Sequence, residues 1–256
     1  MLLTDTHTHQ YYSPEDPAER EKAIQRAFDN GVKRMFLPNV DSGTIQHVFD
    51  LATKYPENCF PMMGLHPCSV KDNYEKELTV IKQAIDANKI YAIGEIGIDL
   101  YWDKTHLEEQ KKAFKTQIGW AKELNLPIVI HCRDAYNEII EVLEEEKDEK
   151  LRGIFHCFGG SVEQAQKVIN LNFYLGIGGV VTYKNSGLDK TVAAINPEHI
   201  VLETDAPYLT PVPYRGKPNE TSYLVHIAQK VADLYQMDIV KLAKITTENS
   251  VKIFGV

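Results

Sequence analysis

Pro127-Ile-Val-Ile-His-Cys132 is a run of apolar, mostly β-branched residues that ends on a histidine and a cysteine. A strand with one wet face alternates apolar and polar residues; this run does not, as expected for a strand covered on both faces in a parallel sheet. Seven further runs of the same kind surround it: Leu2 to His7, Lys33 to Val40, Cys59 to Leu65, Ile90 to Ile96, Gly153 to Cys157, Phe173 to Ile177 and Ile200 to Asp205. Stretches with helical period lie between them. Leu107, Phe114, Ile118 and Ala121 share one face after the fourth run, and Leu224, Ile227, Ala228, Val231, Leu234 and Tyr235 share one after the eighth. Strands alternating with helices pair in parallel, and a count of eight predicts an α/β protein, one (β/α)8 TIM barrel spanning residues 1–256. The pattern from Ile239 through Leu242, Ile245 and Val251 to Phe254 predicts an extra C-terminal helix covering part of the barrel.

With 256 residues, 43% hydrophobic and 25% charged, the composition is that of an ordinary globular protein with a sizeable core. No apolar run approaches the ~20 residues that span a bilayer, and the N-terminal stretch lacks the features of a signal peptide. A cytoplasmic protein with no membrane contact and no evident protein partner is expected. The net charge of −8 argues against tight non-specific nucleic-acid binding, so a polyanionic substrate would need local cations or metal ions to draw it in. Cys59, Cys68, Cys132 and Cys157 show no paired spacing and are expected to be free thiols. Cys132 and Cys157, each following a histidine, should face away from it, toward the packing helices.

In an eight-stranded barrel, chemistry sits at the C-terminal strand ends. His7 and His9, two apart, present both imidazoles to one face at the end of the first run. Glu95 ends the fourth, His131 the fifth, His156 the sixth and Asp205 the eighth. Packing alone does not explain so many polar groups at one mouth, because a buried charge is costly unless paired or coordinating. Four imidazoles and two carboxylates exceed the needs of one tetrahedral ion. Two divalent cations are therefore expected, with Glu95 the natural bridge. Glu203, two residues before Asp205 on the same face, is a candidate to orient the attacking water, and Asp205 to act as general base. Arg133, Arg215 and Lys217 fall on loops where cations would neutralise phosphate, and Tyr101, Trp102, Tyr208 and Tyr214 fall where they would stack unpaired bases. The donor types suit Zn2+ or Mn2+, among others.

Seven segments in order, Asp5-Thr-His-Thr-His9, Gly64-Leu-His-Pro67, Gly94-Glu-Ile-Gly-Ile-Asp99, Ile130-His-Cys-Arg-Asp134, His156-Cys-Phe-Gly-Gly160, Leu202-Glu-Thr-Asp-Ala-Pro207 and Arg215-Gly-Lys-Pro-Asn-Glu220, resemble the TatD-related metal-dependent deoxyribonucleases of the amidohydrolase superfamily. The resemblance covers essentially the whole chain. It departs at Thr221, where the family has proline, and at Leu100. It implies one ion held by His7, His9, Glu95 and Asp205, and a second by Glu95, His131 and His156. It further implies a substrate-side role for His66, activity with Mg2+, and 3′ to 5′ exonuclease action on single-stranded DNA ends. The same metal chemistry can serve a carbonyl hydrolase, such as a lactonase, amidase or aminoacyl-ester hydrolase.

Overall fold

The structure is a computed structural model that describes residues 1–102 and 104–256. Its strands are β1 (Leu3–Asp5), β2 (Val32–Pro38), β3 (Cys59–Met62), β4 (Ile93–Asp99), β5 (Ile128–Arg133), β6 (Gly153–Phe155), β7 (Phe173–Ile177) and β8 (Ile200–Leu202). The helices are α1 (Pro17–Asp29), α2 (Ile45–Lys54), α3 (Tyr74–Ala87), α4 (Leu107–Leu124), α5 (Tyr136–Glu145), α6 (Val162–Asn170), α7 (Leu188–Ala194), α8 (Leu224–Leu234) and α9 (Ile239–Phe254). Parallel ladders run through β1-β2-β3 and through β4-β5-β6-β7-β8. Sparser bonds join the two. Tyr91 N–H donates to Pro61 O at 2.9 Å and Gly94 N–H to Met63 O at 3.0 Å between β3 and β4. Thr6 N–H donates to Leu202 O at 3.0 Å and Asp205 N–H to His7 O at 2.9 Å beyond β8 and β1. These contacts close the ring, and the fold is a TIM barrel.

The interior is layered by strand alternation. Val129, Ile154 and Val201 precede His131, His156 and Glu203 by two residues and so share their inward face. These three apolar residues pack with Phe36, Phe60, Met62 and Ala92 into one buried cluster under the polar layer. Its far side is plugged by the end of α9, where Phe254 stacks on Phe36 with ring centres 3.7 Å apart. The C-terminal helix thus forms the floor opposite the site. Sequence signals set its ends: Asp238 accepts from Val240 N–H at the start, and Gly255, at φ 78°, closes it. Among the described residues no helix is long and apolar enough to cross a membrane.

The ladders are shorter than the apolar runs. β1, β6 and β8 stop at Asp5, Phe155 and Leu202, so His7, His9, His156 and Asp205 stand just past the last paired residue. Glu95 departs from expectation in the other direction. It does not end the fourth strand but lies near its start, and β4 continues to Asp99. The register pairs Gly94 with Val129 and Ile96 with Ile130, leaving Glu95 as an extra residue in a bulge, a device that re-aims a side chain. Gly97 makes this close pairing possible: its φ is +144°, and a Cβ there would fall 2.1 Å from His131 O.

Candidate metal centre

Donor atoms on β4 and β5 and just past the ends of β1, β6 and β8 converge above the apolar floor. His7 Nε2 and His9 Nε2 lie 3.3 Å apart. Glu95 Oε2 is 3.2 Å from His7 Nε2 and 3.7 Å from His9 Nε2, and Asp205 Oδ1 lies 3.8 and 3.7 Å from the same two nitrogens. The other carboxylate oxygen of Glu95, Oε1, faces a second set: His131 Nδ1 at 2.9 Å, His66 Nε2 at 3.5 Å and His156 Nε2 at 3.7 Å. His156 Nε2 also lies 3.7 Å from Asp205 Oδ1, and its ring stacks on that of His7 at 3.5 Å. Each oxygen of Glu95 therefore serves a different group of imidazoles. His7, His9 and Glu95 form a triad whose donor atoms lie within 4.8 Å of one another, as do His7, His156 and Asp205, and His66, Glu95 and His131. So many lone pairs aimed at each other in a buried space suit divalent cations. The donor set fits the metal chemistry read from the sequence.

The ring orientations have identifiable causes. His9 Nδ1 lies 2.9 Å from the Tyr11 hydroxyl, which leaves Nε2 for the centre. His131 is reversed: its Nε2 lies 2.8 Å from Asp99 Oδ2, so Nδ1 faces Glu95. Cys68 N–H donates to His66 Nδ1 at 3.1 Å. A neutral His66 ring then carries its proton on Nε2, which makes it a donor toward the pocket rather than a ligand. His156 Nδ1 lies 2.9 Å from Glu203 Oε1, an ion-pair distance without hydrogen-bond alignment. Glu203 Oε1 also accepts from Cys157 N–H, while Glu203 Oε2 and His7 Nδ1 are buried without a hydrogen-bond partner among the described residues.

Electrostatics follow from burial and crowding. Burial pushes the Glu95 carboxyl up, but the imidazoles of His66, His7 and His156 outweigh it and hold the group well below the usual carboxylate range. Asp205 is pushed up to about 6 by burial, against the pull of His156 and His7. Burial and the nearby His7 keep His9 well below the ordinary imidazole value. Asp99 resists burial and settles at about 2 because His131 and the backbone N–H groups of Trp102 and Tyr101 favour its charged form.

The structure brings His7, His9, Glu95, His131, His156, Asp205 and His66 together. Glu203, expected to orient water, is fully buried, with Oε1 at His156 and the Cys157 backbone. One sequence reading needs correction. Cys157, expected to face the helices, points inward instead, its Sγ 3.8 Å from Asp205 Oδ2, because φ of 46° breaks the strand alternation. The cations lie farther out. The Arg133 guanidinium rests 3.9 Å from the Tyr101 ring centre, that of Arg215 lies 4.0 Å from Tyr183, and Lys217 Nζ lies 6.0 Å from Tyr214. Arg215 and Lys217 thus rest on loop aromatics, and Tyr214 already stacks on Tyr223 at 4.3 Å, which fills one of its faces. A cavity of about 510 Å3 opens beside His156, lined by Arg133, Asp134, Asn137, Phe158 and Gln164 among others, a volume suited to a small ligand. Sequence reading assigned no role to Asp99. Its spacing of four from Glu95 along one strand was the available signal.

Residues 4–255 match the family described as TatD related DNase. The chain is 40% identical to YabD, an uncharacterized metal-dependent hydrolase of Bacillus subtilis, over 100% of both chains. It is 34% identical over 244 residues to the 3′-5′ ssDNA/RNA exonuclease TatD of Salmonella typhimurium, covering 93% of this chain and 94% of the other. The crystal structure of YJJV, a TatD homologue from Escherichia coli K12, superposes with a TM-score of 0.92 at 28% identity, covering 99% of this chain and 98% of that one.

Proposed function

The chain belongs to the TatD-related DNase family of metal-dependent hydrolases, and on that premise we propose that it is an exonuclease that trims single-stranded DNA from the 3′ end at a two-cation centre. The observation that carries this reading is Glu95, whose two oxygens face separate donor groups, as a bridging carboxylate must. His7, His9, Glu95 and Asp205 would hold one ion, and Glu95, His131 and His156 the other. When bound, such ions supply Lewis-acid stabilisation of the phosphate charge and acidify a water.

The protein's own groups then have distinct tasks. Asp205, its Oδ1 beside the imidazoles of His7, His9 and His156, is placed to accept the proton of the attacking water. His66 Nε2–H, fixed by the Cys68 N–H bond behind it, donates to a phosphate oxygen. Glu203 holds His156 and Asp99 holds His131, so both act through a ligand. Arg133 borders both the cavity and the rim, where it meets the strand's phosphates. A concave mouth admits a strand end more readily than the middle of a duplex.

The test is a panel on chelated protein reloaded with Mg2+, Mn2+ or Zn2+. Substrates are end-labelled single-stranded DNA, duplex DNA, RNA, a lactone and an aminoacyl ester. Stepwise shortening from the 3′ end of single-stranded DNA is the expected result. Lactone or ester turnover exceeding oligonucleotide cleavage by orders of magnitude in kcat/KM would replace the reading with a carbonyl hydrolase.

A further inference from the structure

The rim beside His131 carries two large aromatic side chains in the open: Tyr101 is 52% exposed and Trp102 68%. Their backbone is nonetheless anchored. Both N–H groups donate to Asp99 Oδ1 at 2.9 Å, and the other oxygen of that buried carboxylate lies 2.8 Å from His131 Nε2. One carboxylate therefore fixes a metal-centre imidazole and the aromatic pair together. Arg133, two residues past His131 on β5, lays its guanidinium 3.9 Å from the centre of Tyr101 and 5.5 Å from that of Trp102. Trp102 meets Tyr101 edge-on, at 4.9 Å and 89°. Tyr101 is thereby covered on its Arg133 side, and the indole is the more exposed of the two rings.

Resting on the nuclease reading above, we propose that Trp102, backed by Tyr101 and Arg133, is a stacking platform for one unpaired nucleobase of the strand whose phosphate lies at the metal centre. An exposed indole held on ordered backbone is a costly feature that a bound base would cover. Every base offers a π face, so the platform is indifferent to sequence, and bases locked in a duplex cannot reach it. In a protein of net charge −8, stacking gives affinity that does not depend on counterion release, while Arg133 meets the flanking phosphate. Asp99 makes the arrangement functional by setting the distance between base and scissile phosphate.

The experiment uses full-length metal-loaded protein and single-stranded DNA oligonucleotides with one abasic residue stepped along the 3′ end. One abasic position should lower the parent's kcat/KM by roughly 5- to 150-fold, the usual worth of a stacked base. Trp102→Ala should lose as much on the intact strand and nothing further at that position, and Trp102→Phe should recover most of it. In a Trp120→Phe background, Trp102 emission should be quenched by the intact strand and much less by the abasic one. The platform is overturned if no abasic position affects the parent, or if Trp102→Ala cleaves the intact strand as fast as the parent or keeps the abasic penalty. Failure of the nuclease reading shows separately, as a parent that cleaves no oligonucleotide at all, and the platform then falls with it.

Discussion

His131 Nε2 lies 2.8 Å from Asp99 Oδ2, so the ring offers Nδ1 rather than Nε2 to Glu95. A carboxylate behind a ligating imidazole fixes its tautomer and orientation, and losing one costs about 10–100-fold in metal affinity or activity. Asp99→Asn should therefore weaken binding at the His131 side by that factor, read by competition with a chelator. An affinity within about 3-fold of the parent would leave Asp99 serving only the Tyr101–Trp102 loop.

Asp205 faces three imidazoles through Oδ1, and its carboxyl sits at about 6. Asp205→Asn keeps size and an oxygen donor but removes the proton acceptor. A kcat loss of about 10²-fold or more is expected, while at least one metal equivalent stays bound by elemental analysis. Activity within a few-fold of the parent would leave Asp205 as a ligand alone.

Glu203 is packed so tightly that a neighbouring glycine is required. A Cβ at Gly176 would lie 2.3 Å from Glu203 Oε2. Gly176→Ala should therefore displace the carboxylate from His156, lower stability by about 1–3 kcal/mol and reduce metal content. In a Glu203→Ala background the same substitution should cost much less, a coupling that thermal denaturation of the four proteins measures. Additive losses would mean that the methyl group clashes elsewhere.

These sites show which parts of the molecule the sequence makes legible. The eight runs declare themselves because strands buried on both faces are continuously apolar, and the histidines and acids at their ends stand out because packing gives them no purpose. Asp99 and Cys157 are harder to read. The fourth apolar run ends at Ile96 in the sequence, but β4 continues to Asp99, so the last carboxylate of that strand reaches the site from beyond the run. Cys157 turns inward through a positive φ that alternation cannot anticipate. Glu203 shares the inward face as alternation requires, but which neighbour it meets depends on the close approach of β6 and β7.

Asp5 lies buried beneath the centre and ties β1 to the segment after β8. It accepts from Thr204 N–H at 2.9 Å, Thr204 Oγ1 at 2.6 Å and His7 N–H at 3.3 Å. Burial pushes its carboxyl up to about 7 from an ordinary value of 3.8, overriding these donors. Between about pH 4 and pH 7 the folded state thus holds a proton that the unfolded chain has released. Asp5 then contributes its full stability below the unfolded value and loses it as pH rises, by up to about 1.4 kcal/mol per pH unit, levelling off above about 7. Asp5→Asn keeps an oxygen acceptor toward the two N–H groups and stays neutral throughout. In metal-free protein, the stability of the variant relative to the parent should be lowest near pH 4, climb through about pH 7 and then stay constant, as read from urea denaturation at stepped pH. A difference that does not change over this range would show that Asp5 is already ionised in the fold at acid pH, with its three donors outweighing burial.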